Sequence, residues 1–82
     1  MEDDNIQRYR SIDRIYTTGE IARIWEVSIK SVIKCIDSGH LKAVRFTTKG
    51  FRRVSNSDLV DCMVNHNIPL NGLDRYVRER ED

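Results

Sequence analysis

Apolar residues recur at helical spacing in two adjacent stretches of the chain. In "YTTGEIARIWEVS" (16–28), Ile21, Ala22, Ile24 and Trp25 fall on one face of a helix. Thr17 or Thr18 caps its start, and Thr17 with Glu20 has capping-box spacing. "EVS" is a short turn, and Ser28 caps a second helix, "SIKSVIKCIDSG" (28–39). Its apolar set, Ile29, Val32, Ile33 and Ile36, predicts a core-facing stripe. Lys30, Ser31 and Lys34 fall on the other side, and Gly39 stands where a left-handed C-terminal glycine belongs.

The period then changes. "HLKAVRF" (40–46) and "FRRVS" (51–55) read as two short strands, with "TTKG" (47–50) as the turn and Gly50 free to take positive φ. Ser55 and Asp58 have the spacing of a second capping box, opening a helix whose apolar face is Leu59, Val60, Met63 and Val64. Pro69 marks its end. "LNGLDRYVRERED" adds a frayed helix around Leu73, Tyr76 and Val77. Residues 1–14 show no usable periodicity and are expected to be a flexible segment. The expected organisation is therefore a folded domain over 15–70 and a charged tail or short helix over 71–82. The fold class is mainly α with a β-hairpin (α+β), with Ile21, Ile24, Val32, Ile36, Leu41, Leu59 and Met63 in one core. The free protein is expected to be monomeric or weakly associated, since no heptad seam is present.

Two short helices joined by about three residues form a helix-turn-helix. A hairpin directly after them makes the unit a winged helix-turn-helix. In such a unit the second helix enters the DNA major groove and its N-terminal half meets base edges. Ser28, Lys30, Ser31 and Lys34 stand where that requires small hydroxyls and amines. The hairpin, as a wing, would hold phosphates through Arg45, Lys49, Arg52 and Arg53, with Thr47 at its turn. Thr17 and Thr18, at the start of the first helix, complete the candidate DNA-binding set. The competing reading is a solvated face of mixed sign.

Charge changes the balance between these readings. The net charge of +1 over 82 residues conceals an uneven distribution. Residues 17–54 carry eight Lys/Arg against three Asp/Glu, whereas residues 1–16 and 55–82 are net acidic. Positive charge therefore gathers on the helix pair and the hairpin. The small size argues against a large catalytic cleft, and no Gly-rich phosphate loop is present, so no enzyme is expected. Asp58 and Asp61 read as helix N-terminal charges. Cys35, His40, Cys62 and His66 have C-x4-H and C-x3-H spacings that match no recognised zinc finger, so neither a metal nor another cofactor is expected. Tyr9, Tyr16 and Tyr76 are too scattered for a single-strand stacking platform, which favours duplex DNA. No run of 18 apolar residues exists, the acidic start lacks an apolar signal segment, and two distant cysteines make no disulfide framework, so a reducing cytoplasm and no membrane association are expected.

An ordered series of short motifs then carries a resemblance: T-x-E-I-A at 18–22, V-S at 27–28, S-G-x-L at 38–41, R-R at 52–53 and S-x-x-D-L at 55–59. Over roughly residues 16–70 the chain resembles the winged-helix DNA-binding domain of the MerR superfamily, closest to its excisionase-like and BldC-like members. The resemblance implies duplex-DNA binding by the second helix and the wing, with further copies on direct repeats or a partner regulator or recombinase. It leaves open a transcriptional regulator, an excisionase-like architectural factor, and a protein-interaction module that kept the fold without DNA affinity. The chain departs from the family pattern at Glu26, where the turn usually has Gly, at Cys35, where an aromatic is common, and at Phe51, where His often precedes the two arginines. The departure at Glu26 implies a different or strained turn.

Overall fold

The computed structural model describes residues 9, 11–45 and 52–80, and of Arg45 and Arg80 only the backbone. Strand β1 (Ile15–Thr17) leads into helices α1 (Thr18–Trp25) and α2 (Ile29–Asp37). Strands β2 (Val44–Arg45) and β3 (Arg52–Ser55) follow, then helices α3 (Asn56–Asn65) and α4 (Asn71–Arg80). The protein is mainly helical with a small antiparallel sheet. The turn expected at 47–50, with Thr47, Lys49 and Gly50, lies outside the described residues.

The helix starts form as their sequences dictate. Thr17 Oγ1 accepts from Glu20 N at 3.1 Å, and Thr17 N donates to Glu20 Oε1 at 2.9 Å, so the capping box is complete. Ser28 Oγ accepts from Ser31 N at 3.2 Å, and Ser55 Oγ accepts from Asp58 N at 3.2 Å, so Ser55 caps its helix by its own side chain rather than through the full capping box expected with Asp58. The helix ends differ in what they tolerate. Gly39 takes φ 86° after α2, which turns the chain so that Leu41 enters the core. Glu26 ends α1 in the left-handed region at φ 57°, and Val27 N donates back to Ala22 O at 3.0 Å. The turn thus keeps the conformation that favours glycine and strains a residue with a Cβ, at a cost of about 1–2 kcal/mol. Glu26→Gly should therefore stabilise the protein by about 0.5–1 kcal/mol, after the larger unfolded-state entropy of glycine is offset. Urea unfolding of the variant checks this, and an unchanged or lowered midpoint refutes the strain.

Among the described residues the sheet has three strands rather than the two of the expected hairpin. β3 lies in the centre, antiparallel to β1 on one side and to β2 on the other. β1 escaped the sequence reading because three residues are too few to show alternation before the helix cap. Tyr16 and Val54 face each other across β1 and β3 and are fully buried, while Ile15 and Val44 are exposed. Adjacent strand residues point to opposite faces, so Arg52 lies on the Val54 side and Arg53 on the other.

The core joins Tyr16, Ile21, Ile24, Val32, Leu41, Val54, Leu59, Val60 and Met63 with Leu73, Tyr76 and Val77 of α4. Six of the seven expected members, Ile21, Ile24, Val32, Leu41, Leu59 and Met63, belong to it, whereas Ile36 is half-buried and packs against it from outside. The stripe expected on α2 needs correction: of its four members only Val32 is fully buried, Ile36 is half-buried against the core, Ile33 is half-buried outside the core cluster, and Ile29 is 50% exposed. Val32 marks the direction of the core, and Ile29 stands about 60° round the helix from it, on the first turn. Trp25, expected in the core, is half-buried against it.

Among the described residues, the segments on either side of the expected domain are tied down further than the periodicity suggests. The segment expected as a tail or frayed helix holds a ten-residue helix that packs on α1. The backbones approach closely at Gly72, where a Cβ would stand 2.6 Å from the carbonyl oxygen of Ile24. The Tyr76 hydroxyl donates to Glu20 Oε2, so the carboxylate that caps α1 also anchors α4. Within the segment expected to be flexible, Tyr9 and Ile12 pack against the core. They are held through Asn56, which is buried and donates its side-chain amide to Tyr9 O and its backbone N–H to Arg14 O. Asn56 Oδ1 accepts from the Tyr16 hydroxyl at 2.9 Å. Burial raises the Tyr16 phenol above the ordinary tyrosine value, which keeps it a donor.

Candidate nucleic-acid interface

Helix α2 carries the densest set of candidate residues. Ser28, Lys30, Ser31 and Lys34 are all exposed. Lys30 and Lys34 are one helical turn apart and share a side. The two serines belong to the cap as well: their hydroxyls lie 3.0 Å apart, and Ser28 also accepts from the backbone of Ser31. Each oxygen keeps further hydrogen-bonding capacity. No acidic residue occurs between Val27 and Ile36.

The hairpin is linked to the other end of this helix. Arg52 Nη2 lies 3.4 Å from Asp37 Oδ1, with the arginine side chain 23% and the aspartate 59% exposed. Sequence reasoning did not single out Asp37, because nothing in the pattern says that the end of α2 meets β3. An ion pair this exposed is worth little in water, so Arg52 can exchange its carboxylate for another anion at small cost. Arg53 is half-buried, with Nη1 donating to Arg52 O at 3.2 Å, and it stands in register with Thr17 on β1 and Val44 on β2. Arg45 stands opposite Arg52 in the register.

Thr17 and Thr18 lie at the α1 N-terminus, where Thr17 is engaged in the capping box and Thr18 is half-buried as the first helical residue. A shallow groove joins this end of α1 to the start of α2, lined by Thr17, Gly19, Ala22, Val27, Ser28 and Ile29 among others. The structure thus brings together Thr17, Ser28 and Ile29 at one place, and Arg52 with the far end of α2 at another. Val27 and Ile29, both exposed, are surface residues that the sequence reading missed. The available signal was their position on either side of the Ser28 cap, where a helix has no preceding turn to cover them.

The Cys and His residues considered for metal binding come near one another in part. The rings of His40 and His66 meet edge to face with centroids 5.0 Å apart. Cys62 is buried, and burial, reinforced by the nearby Cys35, raises its thiol above the ordinary value. Among the described residues no three His, Cys, Asp or Glu side chains converge on a point that could hold a metal ion. Among them, too, no helix is long and apolar enough to cross a membrane. Comparison with protein families, with curated proteins and with solved structures returns no match.

Proposed function

We propose that this chain is a sequence-preferring duplex-DNA-binding protein and a transcriptional regulator, built as a MerR-like winged helix-turn-helix. In this reading α2 enters the major groove and the β2–β3 hairpin lies along the sugar-phosphate backbone. One observation carries it: the exposed side of α2 presents Ser28, Lys30, Ser31 and Lys34 with no acidic residue among them, and a weak, exchangeable ion pair connects the far end of that helix to Arg52 of β3. The lysines and serines supply amines and hydroxyls for base edges and phosphates, and the hairpin supplies affinity that does not depend on sequence. A single module buries a small interface, on the order of 600–1,000 Å². Firm binding therefore calls for further copies on direct repeats or a partner protein.

The test is a salt-dependent anisotropy titration with mixed-sequence duplex DNA. Each phosphate contact should contribute about 0.9 to the slope of log K against log salt. Replacing both arginines should flatten that slope by up to about 2 and weaken binding to preferred and random duplexes alike. Their opposite orientation on β3 makes the single variants informative. Arg52→Ala and Arg53→Ala should differ, with the arginine that lies against the backbone accounting for most of the change. A double variant that binds with wild-type affinity and slope removes the hairpin from the interface. A wild-type protein that binds no duplex leaves the protein-interaction module as the surviving reading.

A further inference from the structure

The groove at the start of α2 has an apolar rim that the proposed function leaves unused. Val27 is 43% exposed and Ile29 is 50% exposed, and they flank the Ser28 cap. Ile29 occupies the first position of α2, next to Lys30, and its Cδ1 lies against the first turn of α1, 3.9 Å from where a Cβ on Gly19 would stand. Its backbone is therefore fixed by the cap and one flank of its side chain is supported, while the other flank stays open. Leaving two branched apolar side chains in water at the tip of a helix gains nothing for the fold.

A protein partner fits this rim poorly. Two side chains offer a small fraction of the roughly 800 Å² that each partner buries in a stable complex. The neighbours Lys30 and Lys34 are of the type depleted from such interfaces. A DNA major groove fits better. Its thymines present a C5-methyl group beside the donors and acceptors of the base pairs, surrounded by phosphates that favour the lysines.

We propose that Ile29, supported by Val27, reads thymine by packing against its C5-methyl group in the major groove. The inference rests on the proposed DNA binding through α2 and adds the base that this end of the helix selects. Ser28, the cap residue beside Ile29, would hydrogen-bond next to the apolar contact, while Ser31, two residues on, lies round the helix from Ile29.

The experiment separates this inference from the reading beneath it. A pool of duplexes with 20 randomised base pairs is enriched on the full chain, and the enriched duplex is remade with deoxyuridine in place of each thymidine in turn. That exchange removes only the methyl group and leaves phosphates, minor groove and base pairing in place. Wild-type protein should lose about fourfold in affinity at one or two thymines, the factor expected for burying one methyl-sized group. Ile29→Ala should bind the thymine and deoxyuridine duplexes equally, and should bind the deoxyuridine duplex as wild type does. Ile29 is half-exposed, so thermal unfolding of the variant should stay close to wild type. Should it fold poorly, the wild-type comparison decides alone. Equal affinity for thymine and deoxyuridine at every position overturns the inference and leaves DNA binding intact. So does an enriched site without thymine, or a protein that binds all duplexes alike. Failure to bind any duplex overturns the proposed function and this inference with it.

Discussion

A chain ended after Leu70 is expected to lose its cooperative fold. The deletion removes Leu73, which is fully buried, and Tyr76 and Val77, which are nearly so. It uncovers the α1 face beneath them and leaves Glu20 Oε2 without the Tyr76 hydroxyl. Burying each such side chain contributes about 1.5–3 kcal/mol, and three of them together rival the 5–15 kcal/mol by which a native domain is stable. At this size there is little surplus. Circular dichroism should show helix lost well beyond the deleted residues, with no sigmoidal urea transition. A truncated chain that unfolds cooperatively at the wild-type midpoint would mean that α4 is an appendage rather than part of the core.

Asn56→Leu should cost about 2–5 kcal/mol while leaving the shape of the site nearly filled. Asn56 is 2% exposed and ties three segments together: Tyr16 on β1, the carbonyl of Tyr9, and the start of α3. Leucine leaves the Tyr16 hydroxyl and the Tyr9 carbonyl buried without these partners, at about 1–3 kcal/mol for each. A second change separates polarity from packing. Tyr16→Phe should cost stability in the wild-type background and cost little or nothing on top of Asn56→Leu, because its partner is already gone. Urea unfolding of the two single variants and the double variant measures the coupling. Additive losses would show that the bond between Tyr16 and Asn56 contributes nothing of its own, and a loss below about 0.5 kcal/mol for Asn56→Leu would place it with ordinary surface changes.

The elements legible in the chain were those whose signal is local. Thr17 with Glu20, Ser28, Ser55 and Gly39 act within a few residues of where they stand, so capping rules locate the helix ends without knowledge of the fold. The i, i+3, i+4 spacing of Ile21, Ile24, Leu59 and Met63 marks faces that must be covered by something, and each proved buried. Glu26 stood out only against the family pattern, which has Gly in the turn; its left-handed φ of 57° comes from the structure and makes its Cβ a local cost.

What only the tertiary structure decided is what covers each face. The α4 stripe of Leu73, Tyr76 and Val77 sits in a segment so charged that its periodicity reads as weak. Its burial depends on α1 presenting a complementary face at Gly72. β1 exists because β3 offers it a partner, and three residues carry no pattern of their own. Asn56 reads as an ordinary residue in a helix's first turn, yet contacts 40 and 47 residues away make it a buried junction. On the candidate interface, charge and hydroxyl positions along α2 followed from the sequence, because helical spacing alone puts Lys30 and Lys34 on one side. The exposure of Ile29 did not. Four apolar residues at helical spacing define a stripe, but which edge of the stripe meets the core depends on how α2 is rotated against its neighbours. That rotation is set by long-range packing around Val32, and it turns Ile29 outward to the surface.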